Sequence, residues 1–170
     1  MFGDPFSNKL VSWLETRVKK ALDGTDVQLF TDKTIICMEG PQFSTRAESI
    51  LYRSWGADLI NMSVLPESKL AREAEISYAL IATATDYDSW RPQSEAVTAA
   101  EVFKTLQTNA DTSRLVAATV LEDLQHAIQQ EGDVFLQEVG GMKLSIMPRS
   151  EGQKEEDRQK LAFILPEYFS

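Results

Sequence analysis

Cysteine and histidine are almost absent from this 170-residue chain, which holds one of each, Cys37 and His126. A single cysteine excludes an intramolecular disulfide. One His and one Cys also leave no metal-ligand cluster of the usual kinds. Cys37 lies in Thr34-Ile35-Ile36-Cys37-Met38, which reads as buried strand, so its thiol is expected to behave as a small core hydrophobe. Basic residues are scarce as well: 17 Lys and Arg stand against 26 Asp and Glu, a net charge of −9. Nucleic acid and anionic membrane surfaces are therefore not expected partners, since both need a basic face. A small anion such as phosphate stays compatible, because a local site can be positive inside an acidic protein. No apolar run approaches the ~20 residues of a membrane span. The first residues lack the basic start and apolar core of a signal peptide. The default compartment is the cytoplasm, with the nucleus as a second. No internal repeat or low-complexity segment is present.

Some chemistry is excluded in the same way. Ser44 lacks a Gly-x-Ser-x-Gly elbow, and His126 lies far along the chain in a helix beside Gln125 and Gln129, where it reads as a surface residue. A Ser-His-Asp triad is not expected. Gly140-Gly141 is not flanked by strand and helix in the order a phosphate loop requires.

What remains has the make-up of one domain. Hydrophobic residues are 43% and charged residues 25% of the chain, enough to bury a core. Leu10, Val11, Trp13, Leu14, Val18 and Leu22 predict an amphipathic helix over 8–21, ended by Asp23-Gly24. Val27 to Met38 reads as a strand pair or one bent strand. A second helix is expected over 44–55, with Ser44 or Thr45 as N-cap and Gly56 as its stop. Asp58 to Met62 is a short strand, and Pro66 opens a helix to Ala74. The apolar run Ser77 to Thr85 suits a strand covered on both faces. Thr98 and Glu101 form a capping box ahead of a helix reaching about Gln129. Residues 150–160 read as a charged, exposed loop and 161–170 as an apolar docking tail. Alternating strand and helix give an α/β layer fold, with only three or four strands.

Asp86 and Asp88 lie two apart, just beyond the apolar run ending at Thr85. Ligand crevices of open α/β sheets sit outside the carboxyl ends of strands. An Asp there can accept a hydrogen bond from an exocyclic amine and, if burial raises its pKa, protonate a leaving ring nitrogen. The plain alternative is an Asp-Tyr-Asp turn and helix cap.

The words around these residues carry more. Glu39-Gly40-Pro41-Gln42-Phe43-Ser44-Thr45-Arg46-Ala47-Glu48-Ser49, Trp55-Gly56-Ala57-Asp58-Leu59-Ile60-Asn61-Met62-Ser63 and Thr83-Ala84-Thr85-Asp86-Tyr87-Asp88-Ser89-Trp90 together resemble the purine-nucleoside phosphorylases. The resemblance is closest to the branch that cleaves 5'-methylthioadenosine. It implies a three-layer α/β/α fold with a mostly parallel mixed sheet. It also implies phosphorolysis of S-methyl-5'-thioadenosine to adenine and 5-methylthioribose 1-phosphate, with inorganic phosphate as co-substrate and no cofactor or metal. The full-length family member is expected to be a homotrimer in purine and methionine salvage.

The resemblance assigns Asp86 and Asp88 to base recognition, with Asp86 the proton donor. Relatives taking 6-oxopurines carry an amide at position 86 and a glutamate at position 44. A carboxylate accepts, so Asp86 with Ser44 favours a 6-amino purine. Where relatives place a histidine for an ordinary 5'-hydroxyl, this chain has Ala99, with Val102 and Phe103 at helical spacing. That apolar face suits a methylthio group, or else simply faces the core. Phe43 resembles the aromatic packed on purine and sugar, with Pro41 fixing its turn. Met62 resembles the floor of the ribose. Both also fit an ordinary core role. Ser63 resembles the hydroxyl residue that reaches phosphate, and Arg46 either approaches phosphate or pairs with Glu48 or a buried carbonyl.

Segments like Phe2-Gly3-Asp4-Pro5-Phe6-Ser7 lie mid-chain in that family, so the resemblance covers its C-terminal half. The glycine-bearing loop, the Arg-His pair and the hydroxyl-residue loop of the phosphate site belong to the other half and find no counterpart here. Three readings follow: a shortened phosphorylase, an inactive nucleoside-binding or regulatory subunit pairing with a full-length relative, and an α/β interaction protein without a site.

Overall fold

Local capping signals set where the helices begin. In the computed structural model, which describes residues 2–92, 98–148 and 151–170, α1 spans Asn8–Leu22 behind an N-cap at Ser7. Two capping boxes start α2 (Arg46–Ser54) at Thr45 and α4 (Ala99–Gln130) at Thr98. In each, the threonine hydroxyl and a glutamate three residues on satisfy two orphan N–H groups reciprocally. The threonine donors hold Glu48 and Glu101 below the usual carboxylate range. For Glu48 the hydroxyl of Thr45 acts most, and for Glu101 the backbone N–H of Thr98. Between these helices, α3 covers Val64–Glu73. Leu65 is non-helical inside it, so the regular helix begins at Pro66, as proline's fixed φ favours.

Two short strands, β1 (Ile35–Cys37) and β2 (Leu59–Asn61), pair in parallel, with Ile35 opposite Leu59 and Cys37 opposite Asn61. The bond from Met38 N–H to the Asn61 carbonyl, 3.0 Å, carries the pairing one residue further. The α/β class therefore holds, but the sheet is smaller than the sequence predicts. Of 27–38 only Ile35–Cys37 is strand. The run 77–85 makes no ladder among the described residues, and two of its carbonyls bond elsewhere. The Tyr78 carbonyl accepts from Ser7 N–H at 2.8 Å, and that of Ala84 accepts from the Asn109 side-chain amide at 2.8 Å.

The buried core lies between α1 and α4, where Val18, Ala21 and Val116 pack together with Leu22, Leu29 and Val120 around them. Trp13 joins edge-on to Phe135 of α5 (Gly132–Phe135), with ring centroids 5.4 Å apart. A second centre is polar. Glu75, at φ +56° just after α3, accepts from Gly140 N–H (2.9 Å), Met142 N–H (2.8 Å) and the Tyr168 hydroxyl (2.7 Å). Beside it, Arg72 pairs with the buried Glu138. The Tyr168 hydroxyl is the contact by which the tail meets the end of α3.

The segment before the tail differs from its expectation. Residues 155–162 form α6 (Glu155–Ala162) rather than a loop, followed by α7 (Pro166–Phe169); Ser150 lies outside the described residues. Three acidic residues in the first turn of α6 and Lys160 in its last complement the helix dipole. Arg158 is buried and donates to the carbonyls of Phe169 and Ser170, which ties α6 to α7.

Candidate functional site

Three chain segments end at one place. The carboxyl ends of β1 and β2 and the end of the run 77–85 deliver Met38, Met62 and Asp86 to the wall of a cavity of about 490 Å³. That volume is within the ~300–1,000 Å³ of small-molecule sites, and the carboxyl ends of parallel strands are where such sites form. Phe43, Ser44 and Asp88 line the same cavity.

Several residues of the wall and its rim are held by identifiable contacts. Gly40 sits at φ +72°, and a Cβ there would meet the Met62 sulfur at 3.0 Å. Glycine is needed on both counts, and its bareness lets the loop 39–44 lie against Met62. Ser44 is buried, donates its hydroxyl to the Met38 sulfur at 3.4 Å, and accepts at its carbonyl from the Ser89 hydroxyl at 2.7 Å. Phe43 projects outward, 83% exposed, so it is not a core residue. Asn61 turns the chain after β2: its Oδ1 accepts from Ser63 and Val64 N–H at 3.2 and 3.1 Å.

The two aspartates present their carboxylates differently. Asp86 is exposed and accepts from the Thr85 hydroxyl at 2.6 Å, so the burial its proton-donor role calls for is not present in this chain by itself. Asp88 is half-buried. No helix follows Asp86 or Asp88 directly, so the capping alternative has no helix to cap among the described residues. Arg53, in the last turn of α2, brings a cation to the cavity and lies over the Trp90 ring at 3.8 Å. Chemically, the cavity offers acceptors on one side, a free aromatic face, and sulfur-rich apolar surface.

Seven residues singled out in the sequence stand away from it. The Ser63 hydroxyl accepts from the Asn61 side-chain amide at 3.2 Å instead of facing the cavity. Ala99, Val102 and Phe103 sit on the first turns of α4 and do not line it; Phe103 is 72% exposed. The core alternative does not describe Phe103 either. Arg46 donates to the Arg91 carbonyl and not to Glu48, which is occupied by Thr45. His126 is exposed, as expected, and Cys37 is half-buried, its sulfur accepting from Leu65 N–H at 3.3 Å.

Gly40, Asn61 and Arg53 escaped the sequence reading. Gly-Pro marked a turn at position 40 but not the close approach to Met62. An Asn two residues before a serine was a readable Asx signal. Arg53 carried no local signal, since its partner lies 37 positions on.

Comparisons with known proteins bear on the whole of this geometry. The chain is 62% identical to the S-methyl-5'-thioadenosine phosphorylase of Coprinopsis cinerea, over 99% of this chain and 58% of that relative. It is 49% identical to the enzyme of that name from Mycosarcoma maydis, over 97% of this chain and 53% of the relative. Among solved structures, a methylthioadenosine phosphorylase from an antarctic soil metagenomic library matches with a TM-score of 0.77 and 34% identity, over 98% of this chain and 56% of that one. Methylthioadenosine phosphorylase from Schistosoma mansoni in complex with adenine matches with a TM-score of 0.61 and 26% identity, over 74% of this chain and 48% of that one. The chain thus spans about half the length of the curated relatives it matches. The sequence profile of the phosphorylase superfamily matches residues 2–122, covering α1 to α3, α4 as far as Glu122 and every residue of the cavity wall, and the chain belongs to that superfamily.

Proposed function

We propose that this chain carries the purine and thioribose side of a site for phosphorolysis of S-methyl-5'-thioadenosine, giving adenine and 5-methylthioribose 1-phosphate. The observation that carries this reading is the convergence of Phe43, Ser44, Met62, Asp86 and Asp88 on one cavity, in a chain so similar to proteins of that name. Asp86 and Asp88 accept from the 6-amino group, and Asp86 hands a proton to the leaving base once the bound purine covers it. Phe43 closes over purine and sugar, and Met62 floors the ribose. Ala99, Val102 and Phe103 would contribute the apolar 5' side only after α4 moves toward the cavity. Ser63 accepts from the Asn61 amide, which leaves its hydroxyl proton to donate to phosphate. The reaction is a pentosyl transfer that uses inorganic phosphate and no cofactor. It belongs to purine and methionine salvage in the cytoplasm, and in the nucleus where the protein enters it, by a homotrimer.

A second reading, a nucleoside-binding or regulatory subunit that pairs with a full-length relative, draws on the exposure of Phe43 and Asp86. Both would be covered by such a partner.

One experiment separates the readings. The 170-residue chain is titrated with adenine and hypoxanthine and assayed for phosphate-dependent cleavage of methylthioadenosine, alone and with a full-length relative. Adenine is expected to bind more tightly than hypoxanthine. Asp86→Asn should reverse that order, because it replaces an acceptor by a donor facing the base. Cleavage by the chain alone should fall below detection, since one preorganised anion donor is worth roughly 10²–10³ in rate. Equal affinity for the two bases, unaltered by Asp86→Asn, would sink the assignment of the aspartates.

A further inference from the structure

The aspartate loop 86–91 is fastened almost wholly to α2 and the turn before it. Arg53 lies flat over Trp90, its guanidinium carbon 3.8 Å from the ring centroid. Trp90 meets Tyr87 edge-on at 5.9 Å and 90°, and Arg91 covers the other aromatic, Tyr87, at 3.6 Å. The Ser89 hydroxyl donates to the Ser44 carbonyl at 2.7 Å, and Arg46 donates to the Arg91 carbonyl. The loop residues after Asp88 are therefore gripped from the 44–53 segment, Tyr87 before it is packed by Trp90 and Arg91 in turn, and Asp86 itself makes only a contact with its neighbour Thr85 among the described residues.

We propose that Arg53 is a positioning residue for base recognition: by stacking on Trp90 it holds the 86–91 loop so that Asp86 and Asp88 face the cavity. The inference rests on the purine-site reading above. The physical case is entropic. A loop of six residues with two carboxylates near one another would sample many arrangements, and apparent affinity falls with the fraction that is competent. A guanidinium over an indole is the strongest of the common cation–aromatic contacts, and it orients both planes at once. Arg53 sits in the last turn of α2, so its backbone is fixed by the helix and its side chain can act as a fixed post. The plainer role for a cation there is favourable interaction with the helix dipole, and the test must tell the two apart.

The test uses the full 170-residue chain, ¹⁵N-labelled, as wild type, Arg53→Ala, Arg53→Lys, Trp90→Leu and the double variant, with adenine as the probe. Thermal midpoints are recorded for each, with Trp90→Phe as a substitute should Trp90→Leu fail to fold. Arg53→Ala should shift the amide resonances of residues 85–91 and the Trp90 indole N–H, and weaken adenine binding by about threefold to tenfold. Arg53→Lys should recover part of both, since an ammonium keeps the charge but not the planar stack. In the Trp90→Leu background, Arg53→Ala should add nothing further, the non-additivity expected of two residues acting as one unit. The proposal is overturned if Arg53→Ala leaves the loop resonances in place. It is overturned equally if its effect on adenine persists undiminished without Trp90, which would make Arg53 a direct ligand contact. If wild type binds no adenine, the purine-site reading fails, while the loop resonances still decide whether Arg53 holds the loop.

Discussion

Gly40 shows how one residue sets the shape of the cavity wall. Its φ of +72° is the left-handed region, and the Met62 sulfur occupies the space a side chain would take. Gly40→Ala should therefore cost about 1–2 kcal/mol from backbone conformation alone, read as a lower urea midpoint. It should also displace Met62, read as a shift of that methyl group in NMR spectra. A variant as stable as wild type would mean the turn relaxes freely. At this scale the sequence was legible where chemistry is local. Thr45 with Glu48, and Thr98 with Glu101, form their capping boxes as spacing predicts. It was less legible where a side chain's partner is distant: Arg46, offered phosphate, Glu48 or a backbone carbonyl, takes a carbonyl, but no local signal pointed to that of Arg91.

Among the elements, the end of α3 and the docked tail meet at Glu75. Burial pushes its carboxyl up, but the N–H of Met142, the Tyr168 hydroxyl and the N–H of Gly140 together hold it below the usual range. A carboxyl with a depressed folded pKa stabilises fully above its unfolded value and loses that contribution as pH falls through the folded value. Stability should thus decline below about pH 4.5, the ordinary Glu region, and Glu75→Gln should flatten this acid limb in urea titrations from pH 7 to 3. An unaltered limb would place the acid sensitivity elsewhere. Tyr168 behaves in the opposite sense. Its bond to Glu75 and its burial push it up to about 12, so its share persists below pH 10 and is lost only as pH nears 12. Of the elements that escaped the sequence, α5, α6 and α7, the longest is α6, and it lacks an apolar stripe. Its helix is written in charge, with Lys160 paired to Glu156 at 2.7 Å, and a reading built on hydrophobic period passes over such a segment.

The whole molecule exposes 12374 Å², whereas a compact monomer of its mass exposes about 8,400 Å². Much of the excess is apolar: Phe30, Phe43, Trp55, Phe103, Leu121 and Phe163 are each more than 60% exposed. Surfaces of this kind associate. The chain by itself is expected to self-associate at micromolar concentration and to bind a hydrophobic dye, both measurable by sedimentation velocity and fluorescence. A monodisperse monomer that binds no dye would show that these faces are covered in solution by a rearrangement of the chain. The short parallel pair of β1 and β2 points the same way, since each strand is only three residues long and two strands give little independent stability.

Amino-acid order alone determined the α/β class and the starts of α1, α2, α3 and α4, and it set two carboxylates two residues apart at Asp86 and Asp88, because capping and proline geometry act over a few bonds. Tertiary structure alone decided which of those residues share a cavity. It gathered Phe43, Ser44, Met62, Asp86 and Asp88, left Ala99, Val102 and Phe103 on the flank of α4, and gave the Ser63 hydroxyl to Asn61. It also withheld ladder bonds from 77–85, whose apolar composition suits a strand. A strand exists only where a partner accepts its hydrogen bonds, and two of its carbonyls, at Tyr78 and Ala84, accept instead from Ser7 and Asn109.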